Sequence, residues 1–197
     1  SSDLTVDGSL CTGGAVCIMM MLNGQNVWVS MVAALLAGMA AGCVTGLLHT
    51  FMGIPAILSG ILTQLGLYSI NLKIMGKANQ AISVMQYDVH VSLRYIPHAC
   101  LLTTGFCIVI IALLYWFFGT ERGFTIRATG CNQNMARAQG INTNVAKVLA
   151  LALSNALVGL SGALIAQYQG SADVNMGRGA IVIGLAAVII DTLNLHI

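Results

Sequence analysis

Charge is what this sequence has least of. From Gly8 through Leu72 it contains no Asp, Glu, Lys or Arg. Across all 197 residues 7% are charged and 57% hydrophobic, whereas an ordinary soluble domain carries roughly 25% charged residues. A soluble fold of this size needs a polar skin, and these residues cannot supply one. A spanning helix needs about 20 apolar residues, so the uncharged run is long enough for three crossings with short turns. The sequence reads as an integral membrane protein.

Other absences narrow the function. The formal charge is only +2, and there is no Lys/Arg-rich block and no aromatic–basic interleaving, so no nucleic-acid partner is expected. The six cysteines (Cys11, Cys17, Cys43, Cys100, Cys107 and Cys131) form no C-x-x-C pair, and five lie in apolar segments. They read as small packing residues, with no metal site expected. A phosphate-binding loop at Gly76-Lys77 would need Gly five residues earlier and Ser or Thr after the lysine. Asn71 and Ala78 stand there instead. His49, His90, His98 and His196 are scattered without partners at ligand spacing. No catalytic residues and no cofactor are therefore expected on this chain, and any ATP would be hydrolysed by another subunit. The chain opens Ser-Ser-Asp, without an initiator Met or a basic-then-apolar leader, and closes in an apolar run. It reads as a fragment of a longer membrane protein.

The pattern predicts an all-α, polytopic transmembrane helical bundle, treated as one domain over residues 1–197. About five full crossings and one half-length or re-entrant segment are expected. The half-length segment is Leu10 to Leu22, after "DLTVDGS"; discontinuous helices of this kind often line transport pathways. Asp3, Thr5, Asp7 and Ser9 stand just before it. They read either as a polar turn in which Asp7 or Ser9 caps the helix, or as groups at a helix start that face a solute. Asn155, in a later crossing, joins them as a pathway candidate. Val27 to Leu48 is a spanning helix with Gly38, Gly42 and Gly46 at every fourth position, a stripe that lets helix backbones approach closely in lipid. Pro55 fits the first turn of the next helix. A polar segment from Lys73 follows, and its middle, Ile82 to Tyr95, reads as a short hairpin or interfacial helix. Pro97 to Phe118 crosses again and closes on an aromatic belt. Val148 to Ala166 is the next crossing, and a last apolar segment begins near Ala180. Asp191 is the only acid inside an apolar segment, which makes it a functional candidate.

Glu121 to Lys147 collects four of the eight Lys/Arg: Arg122, Arg127, Arg137 and Lys147. The preceding polar loop has Lys73, Lys77 and Arg94 offset by Asp88, so charge favours the Glu121–Lys147 loop as cytoplasmic by a narrow margin. Within it Gly130 offers a backbone conformation barred to other residues, and Asn132 is a good N-cap. Gln133 to Gln139 reads as one short helix with Met135, Ala136 and Ala138 as its small apolar contacts, and Gly140 suits the position that ends it. Two turns of helix alone are not stable in water. Either the membrane domain or a partner must hold them.

At these residues the chain resembles the permease subunits of bacterial ABC importers of the ribose and branched-chain amino acid type. The resemblance is carried by "IRATGCNQNMARAQGINTNVAK", by "LVGLSGALIA", and by "DLTVDGS", which matches that family's membrane-helix opening except for the extra Asp7. "GLLHT", "IPAILSGILT" and "YSINLKIMGKAN" resemble a subgroup of amino-acid permeases for which aromatic amino acids have been suggested. The resemblance implies a multi-pass protein of the bacterial plasma (inner) membrane, paired with a second permease copy as a homodimer. It implies an ATP-binding subunit that carries ATP and Mg, and an extracytoplasmic solute-binding protein. Residues 119–147 would be the cytoplasmic coupling loop, with Gly130, Asn132, Met135, Ala136, Arg137, Gly140 and Ile141 at the ATPase contact. The family normally has further helices before Asp3 and after Ile190, and tends to have Gly where Asp191 stands, so the resemblance implies an incomplete permease. An ion-coupled secondary transporter, or a membrane subunit without a pathway of its own, are the alternatives.

Overall fold

The uncharged run folds as three helices: α1 (Val6–Leu22), α2 (Val27–Phe51) and α3 (Ala56–Met75). The computed structural model describes residues 5–81 and 96–194. After α3 come a short strand β1 (Asn79–Ala81), then α4 (Ile96–Phe118), α5 (Glu121–Cys131), α6 (Gln133–Ala138), α7 (Thr143–Gln169), a second short strand β2 (Ser171–Asp173) and α8 (Ala180–Asn194). The all-α bundle predicted from composition is borne out. Among the described residues four helices are long and apolar enough to cross a membrane: Val27–Phe51, Ala56–Met75, Cys100–Phe118 and Thr143–Gln169. The half-length segment is α1, with 17 residues. The segment from Ala180, expected as a fifth full crossing, forms a helix of 15 residues that carries Asp191. Asp3, and the hairpin or interfacial helix expected over 82–95, lie outside the described residues.

The glycine stripe decides how the bundle closes. Gly38, Gly42 and Gly46 of α2 lie against α7 in antiparallel register. A methyl group on Gly38 would land on the Asn155 carbonyl, and one on Gly42 on the Leu151 carbonyl, while one on Gly46 would come 3.0 Å from Val148 Cα. From the α7 side, a methyl on Gly159 would lie 2.7 Å from the Ala34 carbonyl oxygen and 3.1 Å from Gly38 Cα. Helices this close gain dispersion and carbonyl contacts that bulkier residues forbid, which is the main attraction available between helices in lipid.

α1 fills the space beside this pair. Gly13 meets the Gly159 backbone, and Gly162 meets the Leu10 carbonyl. Ala15, Cys17, Ile18 and Met21 of α1 are buried with Met31 and Ala34 of α2 and with Leu160, Ala163 and Ala166 of α7, forming the core. Ser9 bonds Asn155, near the middle of the 27-residue α7, so α1 starts inside the bundle rather than at its face. α4 touches the core through Phe106 and Ile110, and most of its other apolar side chains face outward.

The sequence did not reveal the small sheet. β1 and β2 pair antiparallel, Asn79 with Asp173 and Ala81 with Ser171, and the Val174 N–H donates to the Ala78 carbonyl at 3.0 Å. Two polar connections some ninety residues apart are thereby tied together at the end of the bundle opposite α5 and α6. The chain beyond β2 then folds back against α1. A methyl on Gly177 would land on the Asp7 carbonyl, and the Gly177 N–H points to Cys11 Sγ at 3.2 Å. That close approach carries Arg178 to the start of α1.

Candidate functional site

Among the described residues, two regions gather polar side chains. The first is the turn between α4 and α7. α4 reaches α5 through a tight bend at Gly123, where a methyl group would collide with the Phe117–Phe118 backbone. α5 runs through Gly130, so the special backbone conformation expected there is not used. Gly130 is helical, with open space where a side chain would be. The helix runs on past Gly130 despite the roughly 1 kcal/mol that one glycine costs.

The break falls two residues later. Asn132 is extended (φ −153°, ψ 106°), and its Oδ1 accepts from the Asn134 and Met135 N–H groups, each at 3.1 Å. It is the N-cap predicted from the sequence. At the other end Gly140 takes φ +80°, its N–H donates to the Arg137 carbonyl at 3.0 Å, and the Ile141 N–H donates to the Ala136 carbonyl at 3.0 Å. This is the paired-bond C-terminal motif that glycine makes possible. Asn142 then caps α7 by accepting from the Asn144 and Val145 N–H groups. α6 is thus held in shape by the chain's own caps and by Ala136, which is buried. Met135 is 59% exposed on its outer side. Arg137 donates from Nε to the Thr143 hydroxyl at 3.0 Å and braces α6 against α7. Asn132→Ala should therefore cost about 1 kcal/mol locally. Hydrogen exchange at the Asn134 and Met135 amides would rise about fivefold while α7 amides stay protected.

The second region is the start of α1. The helix begins at Val6, so Asp7 and Ser9 lie inside it and neither caps it; Thr5 holds the cap position without a side-chain cap bond. Thr5 and Ser9 are fully buried. The Thr5 hydroxyl pairs with the Thr45 hydroxyl of α2 at 2.8 Å. The Ser9 hydroxyl donates to Asn155 Oδ1 of α7 at 2.5 Å, and Asn155 Nδ2 donates to the Leu151 carbonyl at 3.0 Å. Thr5, Ser9 and Asn155 thus each bond one helix to another.

Asp7 lines a cavity. This space of about 260 Å³ lies between α1, α3 and the turn after β2, walled by Asp7, Gly8, Cys11, Gln64, Leu65, Tyr68, Asn71, Val174 and Arg178. Gln64, Tyr68 and Asn71 were missed from the sequence. Their spacing, i, i+4 and i+7, puts them on one helical face, and this polar stripe in an apolar helix was the available signal. Arg178 had none, because it arrives only through the fold-back at Gly177.

A helical bundle built on glycine-packed crossings, with a half-length helix beginning beside a half-open cavity and a capped short helix displayed at one end, defines the class of polytopic membrane proteins. Within that class the chain belongs to the family described as branched-chain amino acid transport system / permease component, whose sequence profile matches residues 2–195. It is 39% identical over 188 residues to the tyrosine transport system permease protein of Clostridioides difficile (strain R20291), covering 95% of this chain and 62% of that protein. It is 30% identical over 166 residues to the fructose import permease protein FruF of Bifidobacterium longum (81% and 46%). It is 28% identical over 194 residues to the autoinducer 2 import system permease protein LsrC of Escherichia coli (strain K12 / DH10B), covering 95% and 55%. The chain thus spans less than two-thirds of each of these relatives. No solved structure matches it.

Proposed function

We propose that this chain is the membrane-embedded part of an ABC importer permease, forming a solute pathway inside the bundle and taking work from a separate ATP-binding subunit through α6. One observation carries the reading. α6 is only six residues long, yet its own caps hold it rigid and it presents Met135 outward. A helix so fixed at both ends transmits displacement to α5 and α7 instead of melting. Met135 is the knob and Arg137 the brace. ATP and Mg belong to the partner, a second permease copy completes the pathway, and an extracytoplasmic binding protein delivers the solute. The α5–α7 turn faces the cytoplasm of a bacterial cell. The identity to a tyrosine permease supports an amino acid as solute.

Met135→Glu tests the docking role, because it places a charge on the exposed knob without touching a cap. ATPase association and solute-stimulated hydrolysis should fall about tenfold or more, with the melting temperature unchanged. Arg137→Glu is expected to lower both, since it also breaks the bond to Thr143. Full ATPase association in Met135→Glu would refute the assignment. Uptake that persists without any ATPase but collapses with the ion gradient would point instead to an ion-coupled carrier.

A further inference from the structure

Two hollows meet on α7 near its N-terminal end. One, of about 320 Å³, lies between α5 and α7 and holds Arg122, Thr125 and Asn142. The other, of about 520 Å³, lies between α2 and α7 and is lined by apolar side chains and the Cys43 thiol. Val145 and Leu149 line both.

The first hollow offers donors and no carboxylate. Arg122 is exposed on α5 and has no acid partner among the described residues. Asn142 Oδ1 accepts from the Asn144 and Val145 N–H groups, which leaves Nδ2 to donate. The Thr125 hydroxyl donates to the Glu121 carbonyl. The tight bend at Gly123 keeps Arg122 beside the end of α4, where Tyr115 and Trp116 are exposed. Exposed aromatic rings at the end of a spanning helix mark the level of the lipid headgroups.

The second hollow runs inward from that level. Met39, Cys43, Leu47 and Phe51 follow at four-residue spacing along α2, which makes this wall about 18 Å long. The hydrocarbon of one leaflet is about 15 Å deep. A volume of about 520 Å³ over that length leaves a channel roughly 5 Å across. A helix is about 10 Å across and does not enter such a channel, whereas an extended acyl chain does. The outward faces of α3 and α4 meet lipid tails too. What sets this place apart is a cation at headgroup level above a groove one leaflet deep.

We infer that the two hollows form one binding site for an anionic glycerophospholipid. Its phosphate pairs with Arg122 and accepts from Asn142 Nδ2, and one acyl chain passes over Val145 and Leu149 into the groove. Charge complementarity names the headgroup, since Arg pairs strongly with phosphate and basic pockets between membrane helices recognise anionic headgroups. A zwitterionic lipid carries the same phosphate, but its own cation competes for it. The lipid wedges between α5 and α7, the two helices that hold α6, and so ties the displayed end of the bundle to the composition of its leaflet. The site requires only the membrane-embedded bundle and is independent of the solute.

Lipid competition tests the inference. The full-length protein is stripped of lipid in detergent and offered phosphatidylglycerol and phosphatidylcholine with the same acyl chains, and bound lipid is counted by native mass spectrometry. Phosphatidylglycerol should be retained about tenfold in preference. Arg122→Gln should bring that preference to within about twofold. Cys43→Phe fills the groove and should lower retention of both lipids about tenfold or more. Leu153→Phe narrows the groove from α7 and carries the same expectation where Cys43→Phe fails to fold. Equal retention of the two lipids by the unaltered protein overturns the inference, because it leaves an ordinary lipid annulus. So does an unchanged preference in Arg122→Gln, or undiminished retention once the groove is filled. Excess inorganic phosphate should not displace the lipid; displacement would assign the hollow to a free anion and overturn the lipid site.

Discussion

Gly13→Ala, the addition of one methyl group, is expected to prevent α1 from seating in the bundle. The new carbon would sit on the Gly159 carbonyl and Cα, which are backbone atoms of α7. No rotamer change relieves such a contact, so α1 and α7 must separate. Overpacking of a core commonly costs 1–3 kcal/mol, and a backbone-on-backbone collision belongs at or above the upper end, about 3 kcal/mol. Separation would also strain the Ser9–Asn155 and Thr5–Thr45 bonds, since both hang on the same helix. Gly66→Ala is the matched control. It adds the same methyl to a helix, but nothing lies within 4 Å of it. Its helix-propensity gain, about 1 kcal/mol, should therefore survive. Thermal unfolding of the two variants in the same detergent checks the contrast. Equal melting temperatures would mean that the glycine contacts do not close the bundle.

The same contacts show what was readable in advance. Gly38, Gly42 and Gly46 recur at the period of a helix face, and a periodic signal survives without knowledge of the partner. Asn132 and Gly140 were readable for a related reason: caps act within three or four residues, so the information is local. The sequence misled at Gly130, where a glycine looked like a break and the chain stayed helical; one glycine costs a helix only about 1 kcal/mol. It was silent about β1 and β2. Three-residue strands have no period to detect, and their pairing depends on α3, α4 and α7 first delivering both ends to one side of the bundle. Arg178 follows from that pairing and from the close approach at Gly177, so its place by the cavity is a third-order consequence of the fold. Asn71 and Gln64 lay between these extremes. Polar residues at helical spacing in an apolar helix can be seen in the sequence, but only the packing shows that one amide is left without partners.

Asn155→Leu should destabilise the protein, the opposite of what is expected of the same change at Asn71, whose buried amide has no hydrogen-bond partner. Both are buried amides in membrane-spanning helices. Asn155 accepts from Ser9 and donates to Leu151, so leucine removes made bonds and leaves the Ser9 hydroxyl without its acceptor. That costs about 1–3 kcal/mol, reduced to the extent that the hydroxyl turns back to the Thr5 carbonyl four residues earlier. Ser9→Ala removes the stranded hydroxyl, so the double variant should recover part of the loss. The coupling should be between about 0.6 kcal/mol, the average for hydrogen bonds between membrane helices, and about 1.7 kcal/mol, the largest. Ser9 and Asn155 were read from the sequence as pathway groups, and the cycle separates that role from the packing one. Groups that hold helices together lower the melting temperature and uptake in parallel, and their effects are coupled. Groups that touch solute lower uptake at constant stability and lose it independently of one another. A zero coupling with an unchanged melting temperature would return Ser9 and Asn155 to the pathway.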